Sequence, residues 1–159
     1  MNKPTYTAEM CDHCHQTITY LLGIDRGTVN IVKKIAKAIE RKGINCVHIA
    51  KEGVLTHNEL CNIIRPRRHG LVAAVKDNPG NFLLTTKGAD FLNGETIPKY
   101  AIVSKSEKRQ VGYFEPEVYK VNISDFNNAS EYWEGINYEI REGRVVRNVP
   151  ARENQPTLI

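Results

Sequence analysis

Four cysteines and five histidines are the side chains of this 159-residue chain best suited to chemistry. Cys11 and Cys14 are separated by two residues, a spacing that lets two thiolates grip one metal ion from a tight turn. A tetrahedral structural site needs two further ligands, and the sequence has no second Cys-x-x-Cys. Those ligands would come from Cys46, His48, Cys61, His13 or His15, with His48 preferred and Cys61 or Cys46 as the fourth. The expectation is therefore a structural zinc site on Cys11, Cys14, His48 and Cys61. The alternative is that Cys46 and Cys61 are buried small hydrophobes and that the first pair binds nothing. A redox role would want the pair at a helix start inside a thioredoxin-like unit, which residues 16–23 do not provide.

Other catalytic constellations are missing. The sequence contains no Gly-Lys-Ser/Thr phosphate loop, no Gly-x-Ser-x-Gly, no His-Glu-x-x-His and no paired-glycine dinucleotide fingerprint. Cys61 and His57 stand one helical turn apart and could pair as nucleophile and base, but a histidine that merely sits in the exposed first turn of its helix accounts for His57 far better. A protein that is not an enzyme is expected. The remaining chemistry is cationic. Arg65, Arg67 and Arg68 form a tight cluster suited to guanine edges or phosphates, and Asn58 and Asn62, shortly before it, suit adenine. The bland account of the arginines is a solvated helix end.

Charge is distributed unevenly. The chain carries +4 overall, but residues 26–91 hold 12 Lys/Arg against 5 Asp/Glu, a balance of +7, with −2 before them and −1 after. Such a field attracts phosphate backbones. Hydrophobic residues at 41% and charged residues at 25% are enough to build one core, and the length suits one domain with appendages. No apolar run approaches the roughly 18 residues of a membrane span, and residues 1–7 lack a signal peptide's apolar centre, so a cytoplasmic protein is expected. Glycosylation-like triplets at Asn122 and Asn128 would matter only in a secreted chain.

These residues need elements to hold them. Val29, Val32, Ile35, Ala36 and Ile39 recur at helical spacing, with Lys33, Lys34, Lys37 and Arg41 on the other faces, so residues 28–42 form an amphipathic helix. Asp25 or Thr28 caps its start, and Gly43 ends it. Residues 44–50 alternate as a short strand. Thr56 and Glu59 form a capping box for a second helix with Leu60, Ile63 and Ile64 on its inner face, which Pro66 kinks or ends. After Gly70 come an apolar run, a turn over residues 76–81 and the strand Phe82-Leu83-Leu84-Thr85, reading as a hairpin. Thr86 caps a short helix to Leu92. Short strands follow at residues 100–103, 111–114 and 119–123, with a helical turn at 130–134, an aromatic group of Tyr132, Trp133 and Tyr138, and a last hairpin pairing Ile140 with Val145.

Helix, strand, helix, strand, turn, strand, short helix is the order of a winged helix, a helix-turn-helix variant. The resemblance sharpens in Gly70-Leu71-Val72 followed by Phe82-Leu83-Leu84-Thr85-Thr86-Lys87-Gly88 and Phe91-Leu92, which resembles regulators of the multiple antibiotic resistance type. The run from Asn93-Gly94 to Pro98-Lys99-Tyr100 is similar to an uncharacterised bacterial and phage family that also begins with Cys-x-x-Cys. The resemblance covers about half the chain and implies an α+β fold. Its parts would be an arm over residues 1–25 with the zinc knuckle, a winged-helix domain over 26–98, a β-rich extension over 99–149 and a flexible tail over 150–159. It also implies that residues 56–69 are a recognition helix for the major groove and residues 76–81 a wing. Double-stranded DNA would then be the partner, contacted by Arg65, Arg67, Arg68, Asn58, Asn62 and Lys76, in a small phage or bacterial transcription regulator, with a homodimer as a further expectation. The alternative partner is a host or phage protein docked on the same fold.

Overall fold

The computed structural model describes residues 6–14, 18–51 and 53–126, together with the backbone of two later strands over residues 138–141 and 144–147. A strand, β1 (Thr19–Gly23), leads into the long helix α1 (Arg26–Lys42). Asp25 caps α1: its Oδ1 accepts the Thr28 N–H at 2.8 Å, and Thr28 answers as the third residue of the helix, completing a capping box. Gly43, at φ 66°, supplies the left-handed stop. The apolar stripe is inside as its spacing requires, with Val29, Val32, Ile35, Ala36 and Ile39 all at 0% exposure. Ile31, Lys33 and Ala38 are buried too, so α1 is enclosed on more than the one face its periodicity marked.

The chain continues through β2 (Val47–His48), α2 (His57–Cys61), α3 (Ile64–Arg68), β3 (Val72–Ala74), β4 (Asn81–Leu84) and α4 (Thr86–Leu92). The three strands make an antiparallel sheet in the order β2-β4-β3, with Val47 opposite Phe82 and Val72 opposite Leu84. This sheet and α4 close the core against α1 through Leu71, Phe82, Leu84, Phe91 and Leu92.

The expected second helix is two short ones, and the break precedes Pro66 rather than following from it. The chain turns at Asn62 and Ile63, and Pro66 falls in the first turn of α3, where a backbone N–H has no helical partner to lose. Beyond Arg68 the chain ends in a Schellman arrangement, with Gly70 at φ 76°, its N–H on the Arg67 carbonyl and the Leu71 N–H on the Pro66 carbonyl. Likewise the cap of α4 is Thr85, one residue earlier than expected, and Thr86 is the first helical residue.

Past α4 come β5 (Ile97–Pro98), β6 (Tyr100–Ser104), β7 (Arg109–Phe114) and β8 (Lys120–Val121), then β9 (Tyr138–Arg141) and β10 (Arg144–Arg147). A second antiparallel sheet has the order β1-β6-β7, in which Gly23 pairs with Tyr100 and Thr19 with Ser104. This corrects the division at residues 25 and 98, because the end of the expected N-terminal arm is a strand of the expected C-terminal extension. The β9–β10 hairpin sets Ile140 against Val145 as expected and lies along α1 and α4. Ser130, Tyr132, Trp133 and the tail from residue 150 lie outside the described residues. No helix among those described is long and apolar enough to cross a membrane.

Gly88 marks the tightest joint in the core. A Cβ built there would stand 2.1 Å from the Leu71 carbonyl oxygen and 2.8 Å from Leu84 Cδ1, so α4 reaches the preceding sheet only because position 88 has no side chain. Gly88→Ala is expected to lower stability by about 3 kcal/mol in urea denaturation, since backbone on both sides must move. Gly94→Ala, where a Cβ meets nothing within 4 Å and only a φ of +106° opposes it, should lose about 1–2 kcal/mol. Equal losses in the two variants would contradict the steric account.

Candidate nucleic-acid interface

The helical segment α2–α3 is fixed from two sides. Glu59, already tied to the Thr56 N–H by the capping box, pairs with Lys34 of α1 at 2.9 Å. Partial burial works against ionisation of Glu59, yet the Thr56 N–H and the Lys34 ammonium hold its carboxyl below the usual range. At the other end, three side chains reach across to β1. Arg65 Nη1 donates to the Gly23 carbonyl at 2.9 Å, Arg68 Nη1 donates to the Tyr20 hydroxyl at 2.6 Å, and His69 Nε2 meets the Leu22 carbonyl at 2.7 Å. From β7, the Tyr113 hydroxyl donates to the His69 carbonyl at 3.0 Å.

The six expected DNA-contacting residues therefore do not share one face. Asn58, Asn62 and Arg65 line a small pocket of about 190 Å³ against the start of α1, together with Asp25, Thr28 and Glu59. Asn62 gives one amide N–H to the Asn58 carbonyl at 2.8 Å, and Arg65 Nε stands 3.9 Å from Asp25. Asp25 is likewise held below the usual carboxylate range, against the effect of its partial burial, by the Thr28 N–H and hydroxyl and by Arg65. Lys76 is exposed in the turn between β3 and β4. Arg67 and Arg68 face elsewhere, into a groove of about 470 Å³ whose lining is completed by Ile64, Gly70, Lys108, Arg109 and Gln110.

That groove is strongly cationic. Four of its seven lining residues are cations and none is an acid. Arg67 is exposed, and no hydrogen bond or ion pair among the described residues engages its guanidinium. Arg68 is anchored on Tyr20, with its Nε buried and lacking a partner among the described residues. Lys108 and Arg109 belong to the turn and start of β7, which the sequence placed in an extension with no binding role. Nothing local marks them, because they face α3 only through the pairing of β1 with β6.

The zinc expectation meets a different geometry. No three His, Cys, Asp or Glu side chains come together among the described residues, so Cys11, Cys14, His48 and Cys61 are not assembled into one site. Cys11 and Cys14 do share a turn, where the Cys14 and His13 N–H groups and the Cys14 thiol hold the Cys11 thiol below its ordinary pKa. His48 instead packs on the β3–β4 turn: its Nδ1 accepts the Ala50 N–H at 3.3 Å, and a Cβ on Gly80 would strike its ring at 2.5 Å. Cys46 Sγ lies 3.9 Å from Asn81 Oδ1, and Cys61, exposed on α2, lies 3.8 Å from His57 Nε2. The Cys61–His57 pair is thus real, but neither residue lines either of the two cavities described above.

Beneath the groove lies a buried titratable group. His69 is 0% exposed, its Nε2–H donates to Leu22, and its Nδ1 has no partner among the described residues. Burial pushes its pKa down to about 4, with the Lys87 and Arg65 charges acting in the same sense and the Leu22 carbonyl and Asp25 opposing. Lys87 itself, 3.7 Å over the Tyr113 ring, is lowered to about 8 by burial. The unfolded chain binds a proton at His69 near 6.5, before the folded chain does. The stability held by neutral His69 is complete above that pH and declines as pH falls toward 4, by on the order of 3 kcal/mol. The urea midpoint should drop over this interval, and His69→Gln should flatten the drop above about pH 5.5, before Asp25 and Glu59 contribute. An unchanged slope in His69→Gln would assign the acid sensitivity elsewhere.

Comparison with protein-family models, curated proteins and solved structures finds no match to this chain.

Proposed function

We propose that the chain is a double-stranded DNA-binding protein built on a winged-helix domain, a small transcription regulator that acts by occupancy rather than by catalysis. The observation that carries this reading is the convergence of Arg67, Arg68, Lys108 and Arg109 on one acid-free groove beside the exposed side of α2–α3. Cations brought together repel one another, even with Arg109 paired to Glu107, and phosphate oxygens relieve that repulsion while accepting the planar guanidinium donors. The order of elements supports the fold. A long helix, a strand, two short helices and a hairpin closed by that strand run in the sequence expected of a winged helix. In this reading residues 56–69, which hold α2 and α3, are presented to DNA and residues 76–81 are the wing, with Lys76 on it. A zinc ion would sit on the Cys11 and Cys14 thiolates, with further ligands from beyond the set of Cys46, His48 and Cys61, each placed elsewhere.

The structure refines which arginine to test. Arg65 and Arg68 hold α3 to β1, so their removal loosens the fold as well as any contact; Arg67 does not. Fluorescence anisotropy of a labelled random-sequence duplex should show binding that weakens steeply with salt. Arg67→Glu should reduce the affinity about tenfold or more at low salt. Arg41→Glu, an equal charge change at the far end of α1, should have much the smaller effect. Equal losses in the two variants would reduce the interaction to net charge, and no wild-type binding at low salt would leave the protein-docking reading in its place.

A further inference from the structure

The β6–β7 turn is rigid, charged and placed where a chain binding DNA through α2–α3 alone would not need it. Ser104 is buried, and its hydroxyl accepts the Glu107 N–H at 3.1 Å; its carbonyl accepts the Lys108 N–H at 2.8 Å. Lys108 is thereby held at φ 53°, an arrangement uncommon outside glycine and asparagine. Arg109 is held as well, Nη2 on Glu107 at 2.9 Å and Nη1 on the Gln110 carbonyl at 3.3 Å. Opposite them, Arg68 is anchored by Tyr20. Arg68 and the backbone that carries Lys108 are therefore positioned before any ligand arrives, which lowers the entropy lost on binding, whereas Arg109 is drawn toward Glu107.

We propose that this turn is a second DNA-binding element, and that the groove between it and α3 takes one phosphodiester strand, with Arg67 and Arg68 on one wall and Lys108 and Arg109 on the other. The inference rests on the DNA-binding reading and extends it to residues outside the winged-helix portion. The size of the groove favours a strand over a free ion. Its volume of about 470 Å³ far exceeds the roughly 30 Å³ share of a single water, so a lone phosphate would leave much of the space and some of the cations unengaged. Arg67 belongs at once to the groove and to the exposed side of α2–α3, so a strand lying across α3 would run on into the groove. The pairing of Glu107 with Arg109 makes a further claim: Glu107 competes with the strand for Arg109, so removing its charge strengthens binding.

The test measures duplex affinity by anisotropy across a series of salt concentrations. Lys108→Asn/Arg109→Gln keeps a residue at 108 that tolerates positive φ, and circular dichroism with thermal melting checks that it folds. It should lose about tenfold or more in affinity, and the slope of log K against log salt should become shallower by about 0.9 for each phosphate contact removed. Glu107→Gln should bind a few-fold more tightly than wild type, with a steeper slope. Should the double variant bind like wild type while Arg67→Glu fails to bind, the clamp is refuted and the α2–α3 reading stands; absence of wild-type binding would remove both. Replacing chloride by inorganic phosphate at equal ionic strength separates the two anion sources. Displacement specific to phosphate and lost in the double variant would make the groove a free-anion site and overturn the strand clamp.

Discussion

Arg65 and Arg68 of one short helix and His69, which caps its end, all reach the single strand β1, and the placing of α3 depends on that attachment. Their targets are two backbone carbonyls and one tyrosine hydroxyl, so the contacts hold α3 at a fixed distance and orientation. β1 is in turn paired along its length with β6. The α2–α3 segment, with only ten residues in its two helices, is thus held less by its own helicity than by a sheet built from both ends of the described chain. Tyr113 of β7 closes the joint from the other side by donating to the His69 carbonyl. A buried neutral histidine is an expensive component unless its ring is hydrogen-bonded, and among the described residues only one of its two nitrogens has a partner. This places a buried, acid-sensitive histidine next to the residues that line the cationic groove.

The run Leu84-Thr85-Thr86-Lys87-Gly88 carried the resemblance to winged-helix regulators, and four of its five residues have a structural reason. Leu84 is buried in the sheet. Thr85 caps α4 by accepting the Gly88 N–H at 3.0 Å and turns its hydroxyl proton to the Gly70 carbonyl at 2.5 Å, joining α4 to the end of α3. Lys87 lies over Tyr113, and Gly88 permits the close approach to Leu71. The motif therefore reports how a helix seats on a hairpin and says nothing about a ligand. A resemblance of this kind informs the fold, while any binding role must be argued from other residues.

What could be read from the sequence was local. The α1 stripe, its Asp25 cap and Gly43 stop, the Thr56–Glu59 capping box and the turn before Phe82 are each specified by residues within a few positions of one another, and each formed. The α2–α3 break was placed late because proline was weighed as a helix breaker, whereas in the first turn it costs nothing. β1 escaped notice altogether. Its partner lies some eighty residues on, and Thr19-Tyr20-Leu21-Leu22-Gly23 has neither the alternation nor the turn that marks a hairpin strand. Once β1 is missed, the uses of Arg65, Arg68 and Tyr20 are missed, and so is the approach of Lys108 and Arg109 to α3. The candidate site was half legible: Arg67 and Arg68 by their clustering, and their facing cations not at all.

The groove works against the stability of the fold that makes it. Arg68 has a buried Nε without a partner among the described residues, and four like charges line a confined space. Either feature alone would be destabilising; a neutral residue at position 67, 108 or 109 would relieve the charge convergence without disturbing the Tyr20, Gly23 or Leu22 contacts that seat α3, whereas the buried Nε of Arg68 comes with the Tyr20 contact. Exposed cations elsewhere on a basic protein are at least separated by solvent. Here two distant segments are brought together so that their charges converge, and the turn that carries one pair is stiffened by Ser104 and Glu107. On the proposed DNA-binding reading, such a departure from the most stable arrangement is what a site for a phosphate strand requires. By that reasoning the modest overall charge of +4 is the wrong quantity to read; what matters is that the fold gathers a small part of it against one face.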